Sequence, residues 1–246
     1  LTTWRRAHTF SWPVRFASLP PPRFAAGFLM FLVVGYTVWY AFAFASIYTR
    51  DTTRVAASHW LFQNVPAGSY LAEEHWDDPL PLRIDGKDAF SIYHGVEFPL
   101  YNGDDPAKRA DLENKLDQVS VIVESSDRLY GSIPKMPLHY PMTVRYYQAL
   151  FDGELGFTKA AEFTSRPQLF GIQLNDDKAE ELFTVYEHPK VTIFVKNASY
   201  SSAKARSILD AVSLDQVVQT SPTLNRTTGL FLSLIHISEP TRQAEI

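Results

Sequence analysis

The sequence contains no cysteine. That absence excludes disulfide frameworks, zinc ribbons, thiolate nucleophiles and cysteine-held iron–sulfur clusters. It leaves the compartment open, because a domain outside the cytoplasm can also do without the residue. Charge of either sign is in small excess: 23 Lys and Arg stand against 27 Asp and Glu, a net −4. A nucleic-acid binder would carry a basic stripe, so no nucleic-acid partner is expected. There is no Gly-rich phosphate loop, no H-E-x-x-H and no G-x-S-x-G elbow. Charged residues are 20% and hydrophobic residues 46% of the 246, which excludes a disordered tail and a low-complexity chain. That length allows one or two domains. The slightly negative mean hydropathy conceals one very apolar segment.

Residues 24–48 read FAAGFLMFLVVGYTVWYAFAFASIY, 25 residues without a charge. A helix of that length spans about 37 Å, more than the roughly 30 Å hydrocarbon core of a bilayer. Tyr36, Trp39, Tyr40 and Tyr48 lie in its second half, where interfacial aromatics belong. A buried globular helix is seldom uncharged for so long. A secretory leader has a shorter apolar core closer to the start. The segment is therefore expected to be a transmembrane helix in contact with membrane lipid. Arg5, Arg6, Arg15 and Arg23 precede it with no acidic residue. The positive-inside rule places that flank, residues 1–23, in the cytoplasm and residues 49–231 outside. Removing those four arginines from the 23 basic residues leaves 19 against 27 acidic ones, a net −8 for the remainder.

From Asp51 onward helix and strand signals alternate. Asp51 opens a helix with Ala57, Trp60 and Leu61 on one face, stopped by Pro66 and Gly68. Strands are expected at 69–73, 90–100, 119–123, 157–163, 182–186 and 191–196. Helices are expected from Asp105-Pro106, with Leu112 and Leu116 buried, from Pro141 to Gly153, and over 201–212. The run VSVIV is β-branched and apolar, which suits a strand buried on both faces in the middle of a parallel sheet. The fold class is therefore α/β: one transmembrane helix followed by an extracytoplasmic α/β sandwich with a mostly parallel sheet. Its domain is bounded at 51–212, and 213–231 is a tail or linker.

Two polar clusters carry candidate chemistry. Glu73, Glu74, His75, Trp76, Asp77 and Asp78 end the first strand, and Ser125, Ser126, Asp127 and Arg128 follow VSVIV. In α/β sheets ligands bind beyond the carboxyl ends of parallel strands, so neighbouring strands would place both clusters at one crevice. The candidate ligand-binding residues are Glu74, His75, Asp77, Asp78, Ser125, Ser126 and Arg128. Arg128 is suited to a phosphate or to Asp77. Against this stand simpler readings: a polar loop anchored by Trp76, and a solvated turn. Neither cluster has the spacing of a metal motif or a catalytic Ser, so no catalytic or metal-ligating residue is assigned. His59, His94, His139 and His188 are expected in solvated or hydrogen-bonded roles.

Taken together, the apolar segment and the words RVAASHWLFQNVPAGSYLAEEHWDDPLPL, VIVESSDRLYGSIP, YYQALFDGELGFTKAAEFTS and FTVYEHPKVTIFVK resemble the C-terminal part of a bacterial membrane glycosyltransferase. The resemblance is to the lipid-carrier-dependent transferases of the protein mannosyltransferase and aminoarabinose transferase kind. It covers about residues 24–196 and is strongest at Trp60, Asn64, Val65, Pro66, Gly68 and Ser69, at EHWDD, and at 183–191. It implies transfer of a sugar from a polyprenyl-phosphate donor at the outer membrane face. It also implies partner transmembrane helices in the same chain, whose loops hold the catalytic acids. No such residue can be carried over to this sequence, and the outer domain would support the acceptor or donor.

Residues 232–242, LSLIHISEPTR, resemble the translation of a sequencing-library adaptor, with 243–246 as read-through, so 232–246 is expected to be an artefact. The first residue, Leu1, suggests that the natural start lies upstream. Two further functions compete: a single-pass membrane-anchored ligand-binding or sensor domain, and an anchored metal-dependent hydrolase built on His75 and its carboxylates.

Overall fold

A computed structural model describes residues 22–218. The N-terminal flank up to residue 21, the end of the expected tail and the adaptor-like stretch 232–246 lie outside the described residues. The chain opens with α1 (Pro22–Ala45), a 3-10 turn (Ser46–Thr49) and α2 (Thr53–Asn64). Then come β1 (Tyr70–Glu74), α3 (Ala89–Ile92), β2 (His94–Phe98), α4 (Pro106–Gln118), β3 (Val121–Glu124) and α5 (Arg128–Ser132). A 3-10 turn (Ile133–Lys135), α6 (Pro141–Phe151), β4 (Phe157–Phe163), β5 (Gln168–Leu169) and β6 (Ile172–Gln173) follow. The last elements are α7 (Glu181–Thr184), β7 (Val191–Lys196) and α8 (Ser202–Asp210).

The uncharged run forms α1, and among the described residues it belongs to the one helical stretch long and apolar enough to cross a membrane. Many of its side chains, Phe28, Phe31, Tyr36 and Phe42 among them, are exposed. Its C-terminal end is seated, with Trp39 and Tyr40 half-buried and Ala43 and Ile47 buried. The Phe44 ring lies 5.3 Å from Phe183 and 5.6 Å from His188. Gln168 N–H donates to Ser46 Oγ at 3.0 Å, and Arg50 donates to the Arg166 carbonyl at 2.9 Å. Residue-specific polar contacts therefore join the helix end to the domain.

The main sheet has the order β2-β1-β3-β7-β4. β1 is parallel to β2 and β3, while β7 is antiparallel to β3 and β4. Four strands thus run one way and only β7 opposes them, so the sheet is mostly parallel. All four residues of β3 are buried, as its apolar sequence demands. It does not lie between two parallel neighbours, however: the chain returns through β7, so one of its partners is antiparallel.

One apolar cluster joins Ala72, Val96, Phe98, Ile122 and Phe194 of the sheet to Leu112 and Leu116 of α4, Tyr146 and Leu150 of α6, and Leu209 of α8. The opposite cluster joins Leu71, Val121, Val123 and Ile193 to Ala57 and Leu61 of α2. The split follows strand parity, since neighbours in a strand point to opposite faces. Leu112 and Leu116 are the buried pair of α4, and Asp105 caps it by accepting from Lys108 N–H at 2.7 Å.

Three local expectations change, and the facing of α6 is settled. Thr52, not Asp51, caps α2, by accepting from Val55 N–H. The segment from 90 begins as a helical turn because Asp88 caps Phe90, and the strand starts only at His94. Residues 182–186 do not form a strand. Glu180 accepts from Leu182 N–H and starts the turn α7, an outcome that a short apolar run cannot reveal by periodicity. In α6 the inward face carries Met142, Tyr146, Tyr147 and Leu150, while Val144 is half-buried and Phe151 is exposed.

Candidate functional site

The pairs Leu71↔Val121 and Ala72↔Ile122 make β1 and β3 parallel neighbours. The loops that leave their carboxyl ends therefore emerge side by side, the condition under which the two polar clusters share a crevice. Ser126 Oγ donates to Asp77 Oδ2 at 2.6 Å and accepts from Arg128 N–H at 3.1 Å. Arg128 Nη1 donates to the Trp76 carbonyl at 2.5 Å, and its Nε donates to Glu181 at 3.0 Å. Tyr186 lies beneath the guanidinium, 5.8 Å from its carbon. Asp77, Ser126 and Arg128 thus meet, but Arg128 does not pair with Asp77. The cation on Asp77 is Arg54 from α2 at 3.5 Å, and it also reaches Asp78 at 3.1 Å. Arg54 gave no signal in the sequence, because its role depends on where α2 packs on the sheet.

The remaining candidates disperse. His75 turns to the neighbouring strand and meets Glu97 at 2.8 Å. Ser125 is buried. Glu74 points into the core, where it is 5% exposed. The expected acid–base or cation set of His75 with its neighbouring carboxylates is therefore not assembled. The physical reason is strand alternation: consecutive residues leave on opposite faces. Among the described residues, no group of three His, Asp or Glu side chains is placed to hold a metal ion.

The same alternation builds a site that the sequence reading missed. Ala72 and Ile122 are cross-strand partners on the face that carries α4, α6 and α8. Two residues further on, Glu74 and Glu124 share that face at the ends of β1 and β3. Glu124 is fully buried. Tyr147 O–H donates to Glu74 Oε1. Thr192 is the β7 partner of Glu124, and the Tyr146 hydroxyl is buried in the same core.

Burial raises the Glu74 carboxyl to about 7, against hydrogen bonds from Glu124 and Tyr147 that pull it down. Burial, and then the neighbouring Glu74 charge, hold Glu124 well above the usual carboxylate range. No hydroxyl or amide donor reaches Glu124 or Glu74 Oε2. A proton shared between the two carboxyls would satisfy them, as expected of two carboxyls in one dry site. Burial and these carboxyls likewise push the Tyr146 and Tyr147 hydroxyls up. Chemically, both carboxyls favour the protonated form more than exposed ones do, beneath the loops that carry Asp77 and Ser126. The signal was present: a Glu closes an otherwise apolar central strand, in step with Glu74.

The chain matches no family model, no curated protein and no solved structure.

Proposed function

We propose that this chain is part of a bacterial membrane glycosyltransferase, comprising a membrane-spanning helix and an extracytoplasmic α/β sandwich domain. The enzyme would transfer a sugar from a polyprenyl-phosphate carrier with catalytic acids on other helices of the same chain. The observation that carries the reading is the seat of α1. An exposed, uncharged helix ends in specific contacts from Phe44, Ser46 and Arg50 to the domain. Such a joint holds the loops beyond the sheet near the membrane surface, where a lipid-linked donor is presented. The resemblance of its sequence words to that transferase family supplies the chemistry.

The test extends the reading frame upstream and assays the longer chain for sugar release from a polyprenyl-phosphate donor. A frame without further apolar helices overturns the reading. Orientation is tested separately by Lys204→Cys, the sole thiol in the resulting chain. A membrane-impermeant maleimide should label it from outside intact cells, and labelling only after lysis reverses the topology. A second reading, a single-pass anchored ligand-binding domain, is favoured by the Asp77–Ser126–Arg128 cluster at the ends of parallel strands. It predicts a start site shortly upstream instead.

A further inference from the structure

Two elements far from α1 in the sequence close on its last turns. β5 packs beside it and is tied by the Gln168 amide to Ser46, and Phe183 of α7 meets the Phe44 ring. Both elements carry large apolar side chains that the domain leaves uncovered. Phe170, between β5 and β6, is 88% exposed, and Ile172, Leu182 and Tyr186 are each more than half exposed. So is Tyr48 at the foot of α1 itself. The stretches QLFGIQL (168–174) and LFTVY (182–186) hold no charge, although Arg166, Asp176, Glu181 and Glu187 stand close on either side of them. Scattered exposed apolar residues are ordinary, but two uncharged runs joined to one helix foot mark an interaction surface.

The hairpin turn is a second, independent observation. Phe170 and Gly171 are its two central residues, and both have positive φ, +53 and +80. Such a turn takes Asn, Asp or Gly at its first position, because a bulky side chain is strained there. Phe170 holds that place while belonging to neither apolar core cluster. Neither local conformation nor internal packing therefore selects it. Length sets the depth. The uncharged run exceeds the hydrocarbon core by about 7 Å, or about five residues of helix. Phe44 and Ser46, the two points of attachment, lie in the last five residues of that run, 44–48. With α1 across a bilayer, the hairpin and α7 stand where acyl chains give way to headgroups.

We propose that the β5–β6 hairpin and α7 form a membrane-docking surface, which sinks Phe170, Ile172, Leu182 and Tyr186 into the headgroup–acyl boundary of the bilayer around α1. Aromatic and aliphatic side chains favour that boundary, and the flanking charges remain among the headgroups. The occupant is lipid because the surface continues the exposed apolar flank of α1. Docking at three places, rather than hanging from one helix, fixes the tilt of the domain. It turns the Asp77–Ser126–Arg128 cluster toward the bilayer, since Arg128 reaches from that cluster to Glu181 and over the Tyr186 ring. This docking rests on the membrane span of the proposed function and not on its sugar chemistry.

The test places nitroxide labels on the full chain in phosphatidylcholine liposomes, each on the sole thiol of its variant. Ile172→Cys and Leu182→Cys report on the two elements, and Leu32→Cys reports on the span. Lys204→Cys marks water, because β7 runs antiparallel to β3 and carries the chain to the opposite end of the sheet. Collisions with oxygen, which concentrates in lipid, are compared with collisions with a water-soluble nickel chelate. Relative to position 204, the labels at 172 and 182 should gain oxygen collisions and lose nickel collisions. Phe170→Asp should restore nickel collisions at 172, and a label there that does not respond overturns the proposal. Nickel collisions at 172 and 182 equal to those at 204, with position 32 in lipid, overturn the docking and leave the glycosyltransferase reading intact. Labels shielded from both reagents reveal a covering protein and overturn it as well. Nickel collisions at position 32 remove the span, and the docking falls with it.

Discussion

Replacing Asp104 with alanine probes how the loop before α4 is tied to the start of α6. The side chains of Asp104 and Lys108 are 0% and 3% exposed and 2.9 Å apart. Lys108 Nζ also contacts the carbonyls of Leu100 and Asn102 at 2.7 and 2.6 Å and Thr143 Oγ1 at 2.6 Å. Asp104 in turn accepts from the amides of Met142 and Thr143 at 2.6 and 3.0 Å, the orphan donors of the first turn of α6. Burial pulls the Lys108 ammonium down and the Asp104 charge holds it up. Asp104→Ala therefore leaves a buried cation without its counter-charge, which costs about 3–5 kcal/mol. It also strips a helix cap, worth about 1 kcal/mol. With about 4 kcal/mol as the working figure, the midpoint of thermal unfolding should fall by roughly 8–16 °C. Urea unfolding of the full chain in detergent, followed by tryptophan fluorescence, measures the loss. Lys108→Met should cost less, because Asp104 keeps its donors from α6. In the Asp104→Ala background it should cost less still, since the cation it removes is then already uncompensated. A loss below about 1 kcal/mol for Asp104→Ala, the range of exposed pairs, would refute this account.

Three further outcomes are expected. The native state holds the Glu74 carboxyl at about 7, above its ordinary 4.5, so it binds protons that the unfolded chain has released. That contribution is full below about 4.5 and is lost as pH rises through 7. Wild-type stability should therefore decline from pH 5 to pH 8 relative to Glu124→Gln, whose amide donates to Glu74 and lowers its carboxyl; parallel pH profiles would dispose of the shared proton. Gly156→Ala puts a methyl 2.5 Å from Tyr200 Cα at φ +78, whereas Gly68→Ala at φ +82 meets nothing within 4 Å. The first should cost more than about 2 kcal/mol and the second about 1 kcal/mol in urea titrations, and equal losses would show that the close approach to Tyr200 is relieved. Arg128→Ala removes the contacts to Trp76 and Glu181 and should speed amide exchange at 181–184 while leaving β3 unaffected; unchanged exchange there would mean that α7 is held by its apolar contacts alone.

Much of this was written in the sequence. The uncharged 25-residue run determined α1, because no globular interior asks for that composition over that length. β-branched runs determined β3 and β7, and Asp105-Pro106 and Ser201 marked helix starts that the side-chain caps confirm. That both polar clusters follow strands was legible too, and their meeting then required only that those strands be parallel neighbours. What the sequence could not decide was strand order and facing. Whether β3 gains a parallel or antiparallel second neighbour depends on where the chain returns after β4, and that return is made by β7. The facing of Glu74 depends on register, and only register sets it beside Glu124 and away from His75. Arg54 and His188 are isolated letters until α2 packs on the sheet and the 176–190 segment folds against the end of α1. Local composition selects elements through propensity and burial, but a site is a meeting of residues far apart in the chain. Long-range packing alone decides which of them meet.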